Sequence, residues 1–327
     1  MALSGRVLVL RALGLGDILT AVPALRAIRR GRPDQELVLA APAAFADLVV
    51  GPDLVDRVLP TRALSPVEWR GPPPDVAVNL HGSGPESHRL LQALAPGRLV
   101  AYACAAVGVR GPDWRSGEHE VRRWCRVVDA AGWPADPADL HLPPPDLVSP
   151  APGAVVVHPG AARPSRRWPA ERFAAVADWA REQGHDVVVT GSADEVGLAR
   201  DVADSSGLRP GAVLAGRTDL RTLAALVAGA RLVVCGDTGM AHLASAHRTP
   251  SVVLFGPVAP AEWGPPPGGP HTVVWHGAAR AAHGGRGDPL GDVVDPVLLT
   301  TSVGEVIRAA RERLEHSATH AVVTSGG

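Results

Sequence analysis

The chain has 327 residues, 46% of them hydrophobic, with 32 basic against 33 acidic side chains. That length suits two domains at ~100–200 residues each, and the apolar fraction excludes general disorder. The balanced charge argues against a nucleic-acid binder, which carries a basic excess.

Three scattered cysteines, Cys104, Cys125 and Cys235, form no CxxC pair. They suit neither a disulfide framework nor a structural zinc site, and point to reduced thiols in the cytoplasm. No lysine is present, and Asn79 is the one asparagine. We read this as codon bias, so an arginine where a lysine is usual says little about chemistry. No apolar run reaches the ~18 residues of a membrane span. Arg6 and Arg11 interrupt the N-terminal apolar stretch, and the small-residue cleavage pattern of a signal peptide is missing. The expected location is cytoplasmic, with peripheral contact at the inner face of the cytoplasmic membrane left open.

Val7-Leu8-Val9-Leu10 is a run of β-formers leading to Gly14-Leu15-Gly16-Asp17. Ile18, Leu19, Val22, Leu25 and Ile28 follow at the helical period, closed by Arg29-Arg30-Gly31. The pattern predicts strand, glycine turn, helix and C-cap. Further strands are predicted at 36–40, 76–80 and 99–103, and strands alternating with helices imply a parallel sheet covered on both faces. Residues 141–153 hold five prolines and read as an extended linker.

Four apolar runs in the second half, 154–157, 186–189, 232–234 and 251–255, each end in a glycine or proline turn. Amphipathic stretches at 171–183 and 220–228 lie between them. This predicts a second doubly wound domain, with ligands beyond the carboxyl ends of its strands. Residues 264–296, rich in Gly, Pro, His and Arg, read as surface loops. A terminal helix is predicted at 303–314, with Ser302 as N-cap and Glu305 completing a capping box. The expected organisation is therefore an N-terminal domain at 1–143 and a C-terminal domain at 144–300. A helix within 301–316 is expected to pack back toward the N-terminal domain, and 317–327 to form a disordered tail.

Three clusters carry candidate chemistry. Gly14-Leu15-Gly16-Asp17 resembles a dinucleotide turn, but Leu19 stands where GxGxxG needs its third glycine. Glu36 lies about 20 residues on, where the ribose acid of that motif would fall. Asp17 is either a helix-start acid favoured by the dipole or a general base presented by Gly14 and Gly16. His158-Pro159-Gly160-Ala161-Ala162-Arg163-Pro164-Ser165-Arg166-Arg167-Trp168-Pro169 is either a solvated basic loop or a diphosphate site built from guanidinium forks. Gly236-Asp237-Thr238-Gly239-Met240-Ala241-His242 closes a strand and opens a helix, where backbone N–H groups bind phosphate or sugar oxygens. Thr238 caps that helix with or without a ligand. No Walker A, HExxH, GxSxG triad or DxD motif occurs. Arginines and helix N-termini are then the available means of stabilising a leaving group without a metal.

At these clusters the chain resembles glycosyltransferase family 9, the heptosyltransferase family. The resemblance rests on VLVLRALGLGDILTAVPALRAIRR, HPGAARPSRRWPAERFAAVA and CGDTGMAHLASAHRTPSVVLFGPVAPAEWGP, and spans roughly residues 5–315. It implies a GT-B fold of two Rossmann-like domains with the active site between them. It implies metal-independent, inverting transfer of a sugar from a nucleotide-diphosphate donor, commonly ADP-heptose, to a glycolipid or glycan acceptor. Asp17 would be the base. His158, Gly160, Arg163, Arg166, Asp237, Thr238, Gly239, Met240 and His242 would hold the donor, and Asn79 and His81 would lie on the acceptor side. No metal, cofactor or nucleic acid is expected. The chain departs from the family at Arg166, which replaces a lysine, and at Ala161 and Ala162, which replace hydroxyl residues near the phosphates. The segment SGPESHRLL lacks an arginine-serine pair common in the family. These departures bear on substrate identity more than on reaction type. A GT-B nucleotide-sugar epimerase and a catalytically silent nucleotide-sugar-binding protein are the alternatives.

Overall fold

The computed structural model describes residues 5–324, with side chains described to residue 316. The chain separates into two compact units, Met1–Leu140 and His141–Gly327. The expected boundary lay three residues later.

The first unit holds β1 (Arg6–Leu10), β2 (Glu36–Ala41), β3 (Arg57–Pro60), β4 (Val76–Asn79) and β5 (Arg98–Val100), in the order β3-β2-β1-β4-β5. All four pairings are parallel. Val7 to Leu10 are fully buried, as strands covered on both faces require. The single helix expected after β1 is two, Leu15–Thr20 and Val22–Gly31. Pro23 has no N–H to bond back one turn, so the helix breaks and restarts at Ala21. β3 was not expected. Its Arg-Val-Leu-Pro sequence is short and ends in a proline, which only an edge strand tolerates.

The second unit holds β6 (Val155–His158), β7 (Val187–Val189), β8 (Leu232–Gly236), β9 (Ser251–Leu254) and β10 (His271–Val274), in the order β10-β9-β8-β6-β7, again all parallel. Trp168 and Phe173 meet edge to face at 5.1 Å within its core. Trp168 also donates to the Thr301 carbonyl at 3.2 Å, anchoring the loop before helix Ala170–Glu182.

Three expectations are corrected. Residues 264–296 are not loop throughout: β10 extends the sheet beside β9, and a short helix spans Ala278–Ala282. The proline-rich 141–153 stretch holds no helix or strand, as expected, and Leu142 at its start donates its N–H to the Ala246 carbonyl at 2.9 Å. The C-terminal helix, Val303–Thr324, is longer than expected. Its buried residues Val306, Ala309, Ala310 and Leu314 belong to the second unit's own core. Helical backbone covers 317–324 of the tail expected to be disordered, and 325–327 lie outside the described residues. Among the described residues, no helix is long and apolar enough to cross a membrane.

Candidate active site

Strand order fixes where ligands can enter each sheet. In the first, chain order reverses between β1 and β4; in the second, between β6 and β8. Crevices beyond the carboxyl ends at such points are the binding positions of open parallel sheets. Asp17 and His81 follow β1 and β4, while His158 ends β6 and Asp237 follows β8.

Asp17 is the third residue of helix Leu15–Thr20, and its carboxylate is held from two sides. The Gly14 N–H donates to Oδ2 at 3.1 Å, and Arg11 donates to Oδ1 at 3.2 Å. The side chain stays 27% accessible, so a substrate hydroxyl can reach it. Gly14 is the N-cap, and Gly16 is the second residue of the helix. Arg11 was not among the expected site residues. It is fully buried, and besides Asp17 it donates to the carbonyl of Leu80, to Thr20 Oγ1 at 3.3 Å and to Glu120 Oε1 at 3.0 Å. A cation closing an apolar strand just before a Gly-x-Gly-Asp turn was the signal for it.

His81 Nδ1 accepts the Ala12 N–H at 3.2 Å. Burial, reinforced by the Arg11 charge, lowers its pKa to about 4. The ring is therefore neutral at physiological pH and able to keep that acceptor role. Asn79 is fully buried and spent within the unit. Its amide donates to Ser87 Oγ at 2.8 Å and to His88 Nδ1 at 3.1 Å, while its oxygen accepts the His81 N–H at 2.8 Å. Asn79 thus positions His81 and offers nothing to an acceptor. The lowered His81 pKa predicts acid sensitivity. The unfolded ring takes a proton below pH 6.5 and the folded ring only near 4, so stability falls across that window as pH drops. Urea unfolding should show a loss of roughly 2 kcal/mol from this group, after allowance for partial exposure. A His81→Gln variant should lack that component.

In the second unit, Arg166 follows β6 and reaches the residue that follows β8. One nitrogen, Nη2, donates both to the Asp237 carbonyl at 2.5 Å and to its Oδ2 at 2.6 Å. Burial raises the Asp237 pKa, and the Arg166 charge opposes this. Ser165 Oγ, Arg166 Nε and Asp237 Oδ1 are buried without a hydrogen-bond partner. Thr238 caps helix Gly239–Ala246 by accepting the Met240 N–H at 3.3 Å, and the Met240 side chain is buried. His242 packs edge-on against Trp263, with centroids 5.7 Å apart.

His158 Nδ1 lies 3.0 Å from Thr190 Oγ1, and burial lowers its pKa. Gly160 lets the Glu195 carboxylate lie close: a Cβ there would come within 2.4 Å of it and force that side chain to shift. Glu195 was not singled out from sequence, although Ser192-x-x-Glu195 is a capping box, with the Ser192 N–H donating to Oε2 at 2.8 Å. It also faces Arg167 at 3.8 Å. Arg163 is exposed on the same loop. Ala161 is buried and lends only its carbonyl, to Arg167. Among the described residues, no group of three or more His, Cys, Asp or Glu side chains is placed to hold a metal.

Two doubly wound parallel-sheet units define the GT-B fold class. The chain belongs to glycosyltransferase family 9 (heptosyltransferase), whose model matches residues 117–291, more than half of the sequence. It is 33% identical over 114 residues to lipooligosaccharide heptosyltransferase 2 of Haemophilus influenzae, covering 34% of this chain and 33% of that one. It is 38% identical over 102 residues to lipopolysaccharide heptosyltransferase 1 of Pseudomonas aeruginosa, covering 31% and 28%. The chain thus matches about a third of the length of these relatives. Solved structures agree in fold over nearly the whole chain. The ADP-heptose lps heptosyltransferase II of E. coli superposes with a TM-score of 0.75 at 20% identity, over 96% of this chain and 99% of that one. A family 9 glycosyl transferase from Veillonella parvula gives 0.75 at 20% identity, over 97% and 99%.

Proposed function

We propose that the protein is an inverting, metal-independent glycosyltransferase that moves a heptose-like sugar from an ADP-linked donor to a hydroxyl of a glycolipid or glycan. The carrying observation is the Arg166–Asp237 pair at the β6/β8 switch point, with three buried polar atoms around it lacking partners. Each such atom costs about 1–3 kcal/mol, which hydrogen bonds from a ligand would recover. The sugar is suggested by relatives that are heptosyltransferases, and the donor by the E. coli ADP-heptose lps heptosyltransferase II.

Arg166, exposed Arg163 and the N-terminus of helix Gly239–Ala246 offer positive charge where a diphosphate would leave. Glu195 offers carboxylate oxygens to hydroxyls of the donor. In the reaction, the acceptor oxygen forms a bond to the anomeric carbon while its proton passes to Asp17. The bond from that carbon to the diphosphate oxygen breaks, and its electron pair leaves with the nucleotide. One base opposite one leaving group inverts the configuration. Asp17 fits because two donors orient its carboxylate and part of it remains accessible. The test is the anomeric configuration of the product formed from ADP-heptose in the presence of EDTA, read by NMR. An inverted product at undiminished rate is expected; a retained configuration, or loss of activity with EDTA, would overturn the mechanism.

A further inference from the structure

Beneath Asp17 lies a row of alternating charge that the reaction itself does not use. Arg11, just after β1, is fully buried, and its side chain makes five hydrogen bonds within the first unit. Nε holds the Asp17 backbone carbonyl at 2.9 Å, and Nη2 holds the Asp17 carboxylate. The same Nη2 holds Glu120, from helix Glu120–Asp129. Glu120 in turn accepts from Trp124 Nε1 at 2.8 Å and from Arg123 Nε at 3.0 Å. The Trp124 ring lies under the Arg11 guanidinium at 4.5 Å. The charges therefore run Asp17, Arg11, Glu120, Arg123, alternating from partly open to buried. From the end of β4, neutral His81 faces the same arginine. An array of this kind is more than a brace for the turn. The negative charge of Glu120 offsets part of the Arg11 field at Asp17.

We propose that Arg11 is the positioning residue of Asp17, and that Glu120 sets how much of the Arg11 charge Asp17 feels. This rests on the reading of Asp17 as the base. Arg11 fixes the carboxylate by gripping both the backbone and the side chain of one residue. Glu120 draws off part of the cation's field, so that Asp17 is oriented without being fully neutralised and can still accept a proton. Without Glu120, both Arg11 and Arg123 act on Asp17 alone, which makes it a weaker base.

The test is a carbon-13 NMR titration of the Asp17 carboxyl in the full chain, with its signal assigned through Asp17→Asn. Oδ1 of Asp17 and Oε1 of Glu120 bond to one nitrogen, so they are no more than about 6 Å apart. At that separation a lost carboxylate charge shifts a neighbour's titration by about one pH unit. Glu120→Gln, nearly isosteric, should move the Asp17 midpoint down by that amount. Arg11→Met should move it up. If Arg11→Met does not fold, Arg11→Met/Glu120→Gln removes both charges together and should titrate above Glu120→Gln. Midpoints that stay put in Glu120→Gln, or that move the same way in both single variants, would overturn the proposal. Turnover of Asp17→Ala on ADP-heptose separates the two claims. A midpoint that shifts as expected in an enzyme whose Asp17→Ala form stays active would support the charge coupling and sink only the base assignment.

Discussion

Asp17→Ala is expected to lower kcat by roughly 10³-fold while leaving the Kd for the nucleotide-sugar donor within about two-fold. The proposed donor groups lie on the second unit and the Asp17 carboxylate on the first, so removing that carboxylate takes nothing from the proposed donor loops. The fold should tolerate the change, because Arg11 keeps Glu120 as a counter-charge and Thr20 and Leu80 as acceptors. Rate and binding are to be measured separately, by nucleoside diphosphate release and by calorimetry. Turnover at the wild-type level in Asp17→Ala would show that another group takes the proton.

Arg166→Ala should be the more damaging change, because it fails in both fold and donor binding. Asp237 is 5% accessible at its side chain, and Arg166 is its ion-pair partner. Breaking a buried pair typically costs 3–5 kcal/mol; with Arg166 a quarter exposed, about 2–3 kcal/mol is expected here. The sign with pH follows from burial. Burial already raises the Asp237 pKa, and without Arg166 nothing opposes it. The variant therefore holds Asp237 protonated at low pH, where the stability loss is small. The loss grows as pH rises and the buried carboxyl must ionise unpaired. Melting temperatures of wild type and variant should converge near pH 4 and diverge toward pH 8. Arg166→Lys, which keeps the positive charge, should restore most of both properties. A single arginine nitrogen makes both contacts to Asp237, and one ammonium can occupy that position. A pH-independent stability gap in Arg166→Ala would contradict this account of Asp237.

Much of this architecture is legible in the amino-acid order, for physical reasons. Val155-Val156-Val157 and Leu232-Val233-Val234 are continuous apolar runs because their strands are covered on both faces. The turns that close them are marked by glycine and proline. β3 and β10 escape because edge strands need less apolar sequence: Arg57-Val58-Leu59-Pro60 and His271-Thr272-Val273-Val274 are only partly buried. The site divides in the same way. Asp17, Arg166 and Asp237 stand in ordered local motifs and can be found by reading along the chain. Glu120 cannot, since it meets Arg11 across 109 positions and no local pattern links them. Asn79 misleads for a related reason. Its place at a strand end suggests a ligand, but its amide is consumed by Ser87, His88 and His81.

The proposed donor site binds a nucleotide sugar without a metal. Calorimetric titration with ADP-heptose and with GDP-, UDP- and dTDP-sugars, each with and without EDTA, tests it most directly. Saturable, one-to-one binding of the ADP-linked sugar is expected, unchanged by EDTA and weakened at least ten-fold in Arg166→Ala. Absence of binding by every nucleotide sugar, or binding that EDTA abolishes, would contradict it.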